Sequence, residues 1–397
     1  MTSTVYVAKN VYGGDGLGRL GDGRVVFVPG AWAGENVKAE IVGEKRNFVK
    51  ARLIEIVEPS PDRIDGGAVA SVPGCVYANL SPAAELKVKE AQLAEFFERA
   101  RIAVPSLENL APDLPFLNYR NKAVYHFARQ GGAWTIGYRE EPGHRIVDMT
   151  DDPLAAKAIN EKLPEIRRGV VTLLTTGPVP IRREIEAKGN VTVRWSARTG
   201  VKWWVGDAPN DVVIKEDTCG RTFEVPAGGF YQVNPAAAER LVKAVTEAYA
   251  KGADAAPNVL DLYCGVGVFG LCCKPPKLVG IESGRQAIEF AKRNAAAQGQ
   301  AEAKFFAEQV GRNLRQIKIG SQTTVIVDPP RGGLEPRVPE WLAQSKAPRL
   351  IYVSCDPATL MRDLRVIVRG YEVEAVRWID MFPRTARFET MVVLRKK

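Results

Sequence analysis

A chain of 397 residues, 46% apolar and 25% charged, has the length for two or three domains with at least one sizeable core. No apolar run reaches the length of a membrane span, and the stretch from Met1 to Asn10 carries none fit for a secretory signal, so no membrane association is expected and a cytoplasmic protein is. The six cysteines (Cys75, Cys219, Cys264, Cys272, Cys273 and Cys355) follow no framework spacing and fit free thiols in a reducing compartment. The formal charge of +9, from 55 basic and 46 acidic side chains, suggests a polyanionic partner, although a well-solvated basic surface would give the same excess.

Residues 1–58 read as a small all-β unit. Val5–Val7, Arg24–Val28, Glu35–Val42 and Phe48–Val57 alternate or run β-branched between glycine turns. The cluster from Gly13 to Gly18 suits a tight loop between strands, and because no helix follows it, it is not expected to bind phosphate. Pro59-Ser60-Pro61 marks a boundary.

Residues 59–228 read as a mixed α/β segment. Ser81-Pro82 starts a helix in which Leu86, Ala91, Leu93, Phe96 and Phe97 recur at roughly helical spacing through Arg101. Two hairpins follow: Ala123–Arg129 with Trp134–Arg139 around Gly131-Gly132, and Val191–Ala197 with Val201–Val205 around Thr199-Gly200. Arg194, Trp195, Lys202, Trp203 and Trp204 interleave charge and aromatic rings as an RNA-stacking face would, but aromatics in short strands are also ordinary core residues.

From about residue 229 the pattern becomes strands alternating with helices. Val259–Tyr263, Lys277–Ile281, Ala303–Phe306, Thr323–Val327 and Arg349–Val353 are short apolar runs, the signature of a parallel sheet covered on both faces. The first runs into Asp261-Leu262-Tyr263-Cys264-Gly265-Val266-Gly267, a glycine turn that lets backbone approach a ligand at the sheet's carboxyl edge. The second ends in Glu282, whose carboxylate can accept both hydroxyls of an adenosine ribose. Gly265, Gly267 and Gly270 also spell a dinucleotide fingerprint, which keeps a nicotinamide-dependent oxidoreductase open at this point; Asp261 ahead of the turn favours S-adenosylmethionine.

The fourth strand ends in Asp328-Pro329-Pro330-Arg331-Gly332-Gly333, a rigid acidic loop at the same edge. The fifth ends in Ser354-Cys355-Asp356-Pro357, and Glu389 closes the stretch Asp380–Glu389 further on. A thiolate and a carboxylate suffice to methylate carbon 5 of uracil. Addition of sulfur to carbon 6 makes carbon 5 nucleophilic, and a base then removes the carbon 5 proton so that the cysteine can leave. With two histidines in the chain, a glutamate base fits better than a histidine. Arg331 or Arg387 could lower the thiol's pKa.

These motifs resemble the RNA 5-methyluridine methyltransferases. The matching segments are Gly229–Pro235, Asp261–Gly267, Asp328–Gly333, Val353–Leu360 and Phe382–Glu389, in the family's order. Residues 1–58 resemble the TRAM domain, a small β-barrel that holds RNA, so removing it is expected to lower RNA affinity more than the chemical step. Asn121-Lys122 and Gly137–Glu140, followed by His144–Val147, resemble the family's central domain. The resemblance implies three units: a TRAM/OB-like barrel (1–58), a mixed α/β central domain (59–228) and a Rossmann-like class I methyltransferase domain (229–397). It implies Cys355 as nucleophile and Glu389 as base. Gln232, Tyr263, Gly265, Gly267, Glu282 and Asp328 would bind S-adenosyl-L-methionine, and Cys264 would be structural. The substrate would be a uridine in rRNA or tRNA, with rRNA favoured, and the protein a monomer.

Two departures stand out. Many TRAM-bearing relatives ligate an iron–sulfur cluster with four cysteines, but here Cys75 stands alone, with Asp152 in place of the fourth, and no cluster and no metal are expected. Arg387 occupies the position where relatives often carry a histidine. The rival readings are the oxidoreductase and an RNA-binding protein with a vestigial catalytic domain; Cys355 and Glu389 argue against the latter.

Overall fold

A computed structural model describes residues 2–140, 143, 145–312 and 314–397. His144 lies outside them.

Strands β1 (Thr2–Asn10), β2 (Gly16–Arg19), β3 (Val25–Val28), β4 (Asn36–Glu44) and β5 (Phe48–Glu58) close into a barrel in the order β1-β2-β3-β5-β4. The alternation of each strand turns Val5, Val7, Val26, Val28, Val37 and Val49 inward. One local expectation is corrected: Gly16 and Gly18 are strand residues, not loop. A Cβ on Gly16 would lie 2.7 Å from the Ala31 carbonyl oxygen and one on Gly18 2.5 Å from that of Tyr6, so these glycines answer to close backbone approach within the barrel wall.

Helix α1 (Pro82–Ala100) begins at an N-cap, Ser81, whose hydroxyl accepts the Ala84 N–H. It packs against the C-terminal half: Leu93 and Phe97 belong to the core under the large sheet. Strand β6 (Leu107–Asn109) adds to that sheet's edge. The middle of the chain forms a second sheet, ordered β11-β10-β7-β8-β9, from β7 (Lys122–Gln130), β8 (Ala133–Arg139), β9 (Ile146–Asp148), β10 (Asn190–Ser196) and β11 (Gly200–Val205). Helices α2 (Lys157–Thr176) and α3 (Val179–Lys188) cover it through Leu163, Ile166, Val170 and Ile185. Trp195 and Trp203 pack against this core and Arg194 is buried, so these three are not a stacking face for RNA. A hairpin, β12 (Val213–Thr218) with β13 (Arg221–Pro226), leads to α4 (Pro235–Ala250).

The remaining elements are β14 (Asn258–Leu262), α5 (Val268–Cys273), β15 (Leu278–Glu282), α6 (Arg285–Ala297), β16 (Lys304–Ala307), β17 (Thr323–Val327), α7 (Val338–Gln344), β18 (Arg349–Ser354), α8 (Pro357–Ile367), β19 (Tyr371–Ile379) and β20 (Glu389–Lys396). They make an eight-stranded sheet ordered β16-β15-β14-β17-β18-β20-β19-β6. The five strands from β16 to β18 are parallel, and β20 inserts antiparallel beside β18. Both faces are buried. Val259, Ile326 and Ile351 meet Leu241 and Ile288 on one side; Leu260, Val325 and Leu350 meet Phe97, Leu342 and Leu364 on the other. That two-sided burial explains the continuous apolar runs. No helix among the described residues is long and apolar enough to cross a membrane.

Candidate active site

Strand register assembles the site. The parallel strands β14, β15, β17 and β18 all end at one edge, and β20, running the other way, begins there. Ser354 of β18 pairs with Thr390 of β20, so the next residue of one strand, Cys355, adjoins the preceding residue of the other, Glu389. Asp328 follows β17, whose Val327 pairs with Tyr352 of β18. One thiol and two carboxyls therefore converge from three neighbouring strand ends.

Backbone capping holds Cys355 in place. Asp356 caps α8 by accepting the Ala358 and Thr359 N–H groups, and its own N–H donates to Ser354 Oγ at 3.3 Å. The thiol is half-buried and pushed up to about 12 by burial, then by the Glu389 and Asp328 carboxyls; Arg331 acts in the opposite direction and is outweighed. Arg331 therefore lowers the thiol's pKa as expected, but less than burial and the two carboxyls raise it, and Arg387 is not among the groups that act on it most. Glu389 is buried, its Oε2 has no hydrogen-bond partner, and burial with the Asp328 charge raises its carboxyl well above the usual range. Asp328 is raised to about 7 by burial and by Asp261. Arg387 reaches Asp356 at 3.9 Å.

Beside these groups lies a cavity lined by Gln232, Tyr263, Gly265 and Asp328, with Phe230 and Phe269. Tyr263 sits at φ +63°, Gly265 at φ +54° and Gly267 at φ +89°, so the turn after β14 curls back over the cavity. Gly267 caps α5 from the left-handed region that favours glycine. The Tyr263 hydroxyl donates to Glu335, leaving its ring to form the wall. Asp261 is buried behind the turn; its Oδ2 accepts the Gly270 N–H at 2.9 Å while its Oδ1 has no partner. Gly267 and Glu282 are not part of the lining. Glu282 ends β15, where its Oε1 accepts the Gly284 N–H at 2.8 Å and the Ser283 hydroxyl at 3.0 Å. Cys264 is buried, its thiol raised far above the ordinary range by burial, in keeping with a structural part.

Two supports were not visible as motifs. The segment leading to Gln232 is tied down from the middle sheet: Arg194 donates to the Ala227 and Gly229 carbonyls, each at 3.1 Å, and the Asn121 N–H donates to Val233 at 2.8 Å. Behind Glu389, the buried Lys89 joins Glu85 and Asp380, each at 2.7 Å, and Arg384 donates to Glu85 at 2.8 Å and to the Ala78 and Leu80 carbonyls, each at 2.7 Å. Single charges in a helix carry no sequence signal for such a network.

The surroundings of Cys75 do not fit an iron–sulfur cluster. Burial pushes its thiol up to about 12, and the buried Asp152 already accepts the Tyr125 and Tyr138 hydroxyls at 2.9 and 2.7 Å and the Leu154 N–H at 3.0 Å. No group of three metal-ligating side chains occurs among the described residues.

Comparison with known proteins agrees with this architecture. The profile of the tRNA (uracil-5-)-methyltransferase family matches residues 213–397, and that of the TRAM domain matches residues 2–54. An uncharacterized RNA methyltransferase of Gloeobacter violaceus is 30% identical over 453 residues, covering 100% of this chain and 96% of its own. Another, of Thermotoga maritima, is 28% identical over 448 residues, covering 100% and 99%. The Pyrococcus abyssi tRNA (uracil-54, C5)-methyltransferase, solved with S-adenosyl-L-homocysteine, shares the fold at a TM-score of 0.75, with 23% identity and coverage of 98% and 99%.

Proposed function

Since the chain belongs to the tRNA (uracil-5-)-methyltransferase family, we propose that it methylates carbon 5 of a specific uridine in RNA through a covalent bond from Cys355, with Glu389 as the base and S-adenosyl-L-methionine as donor. The observation that carries this reading is the strand register that brings Cys355 beside Glu389, with Asp328, which acts on both, lining the cavity together with Gln232, Tyr263 and Gly265. The family match over residues 213–397 favours this reading over a nicotinamide-dependent oxidoreductase.

The donor set fits the cofactor. Gln232, Tyr263 and the Gly265 turn would frame the cofactor, and the Glu282 carboxylate at the end of β15 suits a ribose hydroxyl. Asp328, half-buried without an ion-pair partner, suits the cationic end. The cofactor supplies a methyl group on a sulfonium. Cys355 Sγ adds to carbon 6 of the uracil, and the electron pair of the carbon 5–carbon 6 double bond moves into the ring as an enolate. Carbon 5 then forms its bond to the methyl carbon as the methyl–sulfonium bond breaks. Glu389 takes the carbon 5 proton, the double bond re-forms, and the bond to Cys355 breaks. Burial serves this last role, because a carboxylate poorly solvated in a dry site is a stronger base.

We favour ribosomal RNA as the target because of the TRAM-like barrel. The family name and the whole-chain likeness to the Pyrococcus enzyme support tRNA as a second reading. Mapping 5-methyluridine in both RNA classes from cells with and without the gene separates them. Cys355→Ala is expected to abolish methylation while leaving cofactor affinity nearly unchanged; appreciable turnover by that variant would remove the covalent route.

A further inference from the structure

A side chain of the barrel packs against the segment that carries Glu389. The turn between β1 and β2 is closed by the Val11 N–H on the Asp15 carbonyl at 2.9 Å and the Gly14 N–H on the Val11 carbonyl at 3.0 Å. From the other side, Gln92 of α1 donates to the Val11 carbonyl at 2.9 Å. Tyr12 is thus fixed between two elements. Its ring stands edge-on to Phe96 of α1 and to Phe388, with centroids 5.5 and 5.9 Å away, and Phe388 is the residue before Glu389. The charges that act on its hydroxyl are those of the catalytic edge: Asp356, Arg387, Cys355 and Arg331.

That hydroxyl is buried and has no hydrogen-bond partner among the described residues. Burial, followed by the Asp356 charge, pushes it up to about 12, so it remains a donor at any working pH. An unmet donor in such a place lowers stability, and a site that keeps one is arranged for an acceptor that arrives later. The charged groups that act on the hydroxyl include the thiol that would attack the pyrimidine and its neighbour Asp356, and an RNA nucleotide is rich in oxygen acceptors. We propose that Tyr12 is a substrate-binding residue of the catalytic site, its hydroxyl donating a hydrogen bond to an oxygen of the nucleotide whose base Cys355 attacks. The inference rests on the reaction proposed above. It also revises the expectation that the barrel is a detachable arm whose loss lowers affinity more than chemistry, because removing residues 1–58 takes Tyr12 out of the cleft.

The test is Tyr12→Phe in the full chain, which keeps both edge-on ring contacts and removes only the hydroxyl. The expected result is a pair of opposite changes: kcat/KM for RNA falls about tenfold, as for one lost hydrogen bond to substrate, while the melting temperature of the RNA-free protein stays level or rises. Cofactor affinity is expected to be unchanged. A residue that merely holds the fold would lose activity and stability together, and that result overturns the proposal. So does wild-type kcat/KM in the variant. If the wild-type protein leaves uridine unmethylated, the underlying reaction is at fault, which is a separate outcome from a silent Tyr12→Phe in an active enzyme.

Discussion

The Cys355 thiol resists deprotonation. Two carboxyls, Glu389 and Asp328, face a half-buried thiol, and the one opposing cation, Arg331, is exposed to water. A positive sulfonium beside Asp328 would offset those carboxyls and favour the thiolate. Alkylation by iodoacetamide, read on the Cys355 peptide by mass spectrometry, reports this directly. A thiol at about 12 gains thiolate about tenfold per pH unit below that value, so the rate in free protein should still be climbing between about pH 8 and about pH 10, where an unperturbed thiol levels off. Adding S-adenosyl-L-methionine should speed alkylation, and the uncharged S-adenosyl-L-homocysteine should not. Equal rates with the two would show that cofactor charge does not reach the thiol. The placement of Cys355 and of the glycine turn at strand ends was legible in the sequence from the apolar runs before them, whereas Glu389 was singled out only by the reaction proposed for them. Tyr12 was not: a tyrosine in a glycine-rich turn, 343 positions before Cys355, carries no local mark of the cleft it enters.

Among the elements, the strands of the large sheet were legible because two-sided burial writes uninterrupted apolar runs. Strand β2 was not, because glycines selected for close backbone approach look like a loop. Helix α2 carries a helical signal in Ile159, Leu163, Ile166, Val170 and Leu174, obscured by Pro164 and by an N-cap with no side-chain hydrogen bond. In α1 the apolar pattern was right about Leu93 and Phe97 but silent on the polar face, where Glu85, Lys89 and Gln92 are as buried as the leucine. That face is what anchors the Asp380–Glu389 loop. Arg384→Met would leave Glu85 with one cation fewer and several buried carbonyls without a donor. It should cost roughly 3–5 kcal/mol and reduce activity with it. A loss no larger than that of an exposed ion pair, below about 1 kcal/mol, would mean that the network does not hold the loop.

At the scale of the molecule, three packed units meet around one edge of one sheet: the barrel through Tyr12, the middle sheet through Arg194 and Asn121, and α1 through the Glu85–Lys89 pair. The shifts in periodicity along the chain were legible, but the joining of β6 to the large sheet was not, nor were these crossings, since each depends on a single side chain reaching a distant segment. The excess of positive charge belongs to this scale as well. RNA affinity should fall at least about tenfold between about 50 and about 200 mM salt, through release of counterions from the phosphates; a flat salt response would argue against a phosphate-tracking surface. The most direct test of the whole account is Glu389→Gln mixed with substrate RNA and S-adenosyl-L-methionine. Glutamine keeps the size of the side chain but cannot take the carbon 5 proton, so the reaction should stall with the methyl already transferred and the base still bonded to Cys355. A protein–RNA band that survives denaturation, carries the methyl label and vanishes when Cys355→Ala is added is the predicted result. A folded Glu389→Gln protein that turns over at the wild-type rate, with no adduct at any time, would contradict it.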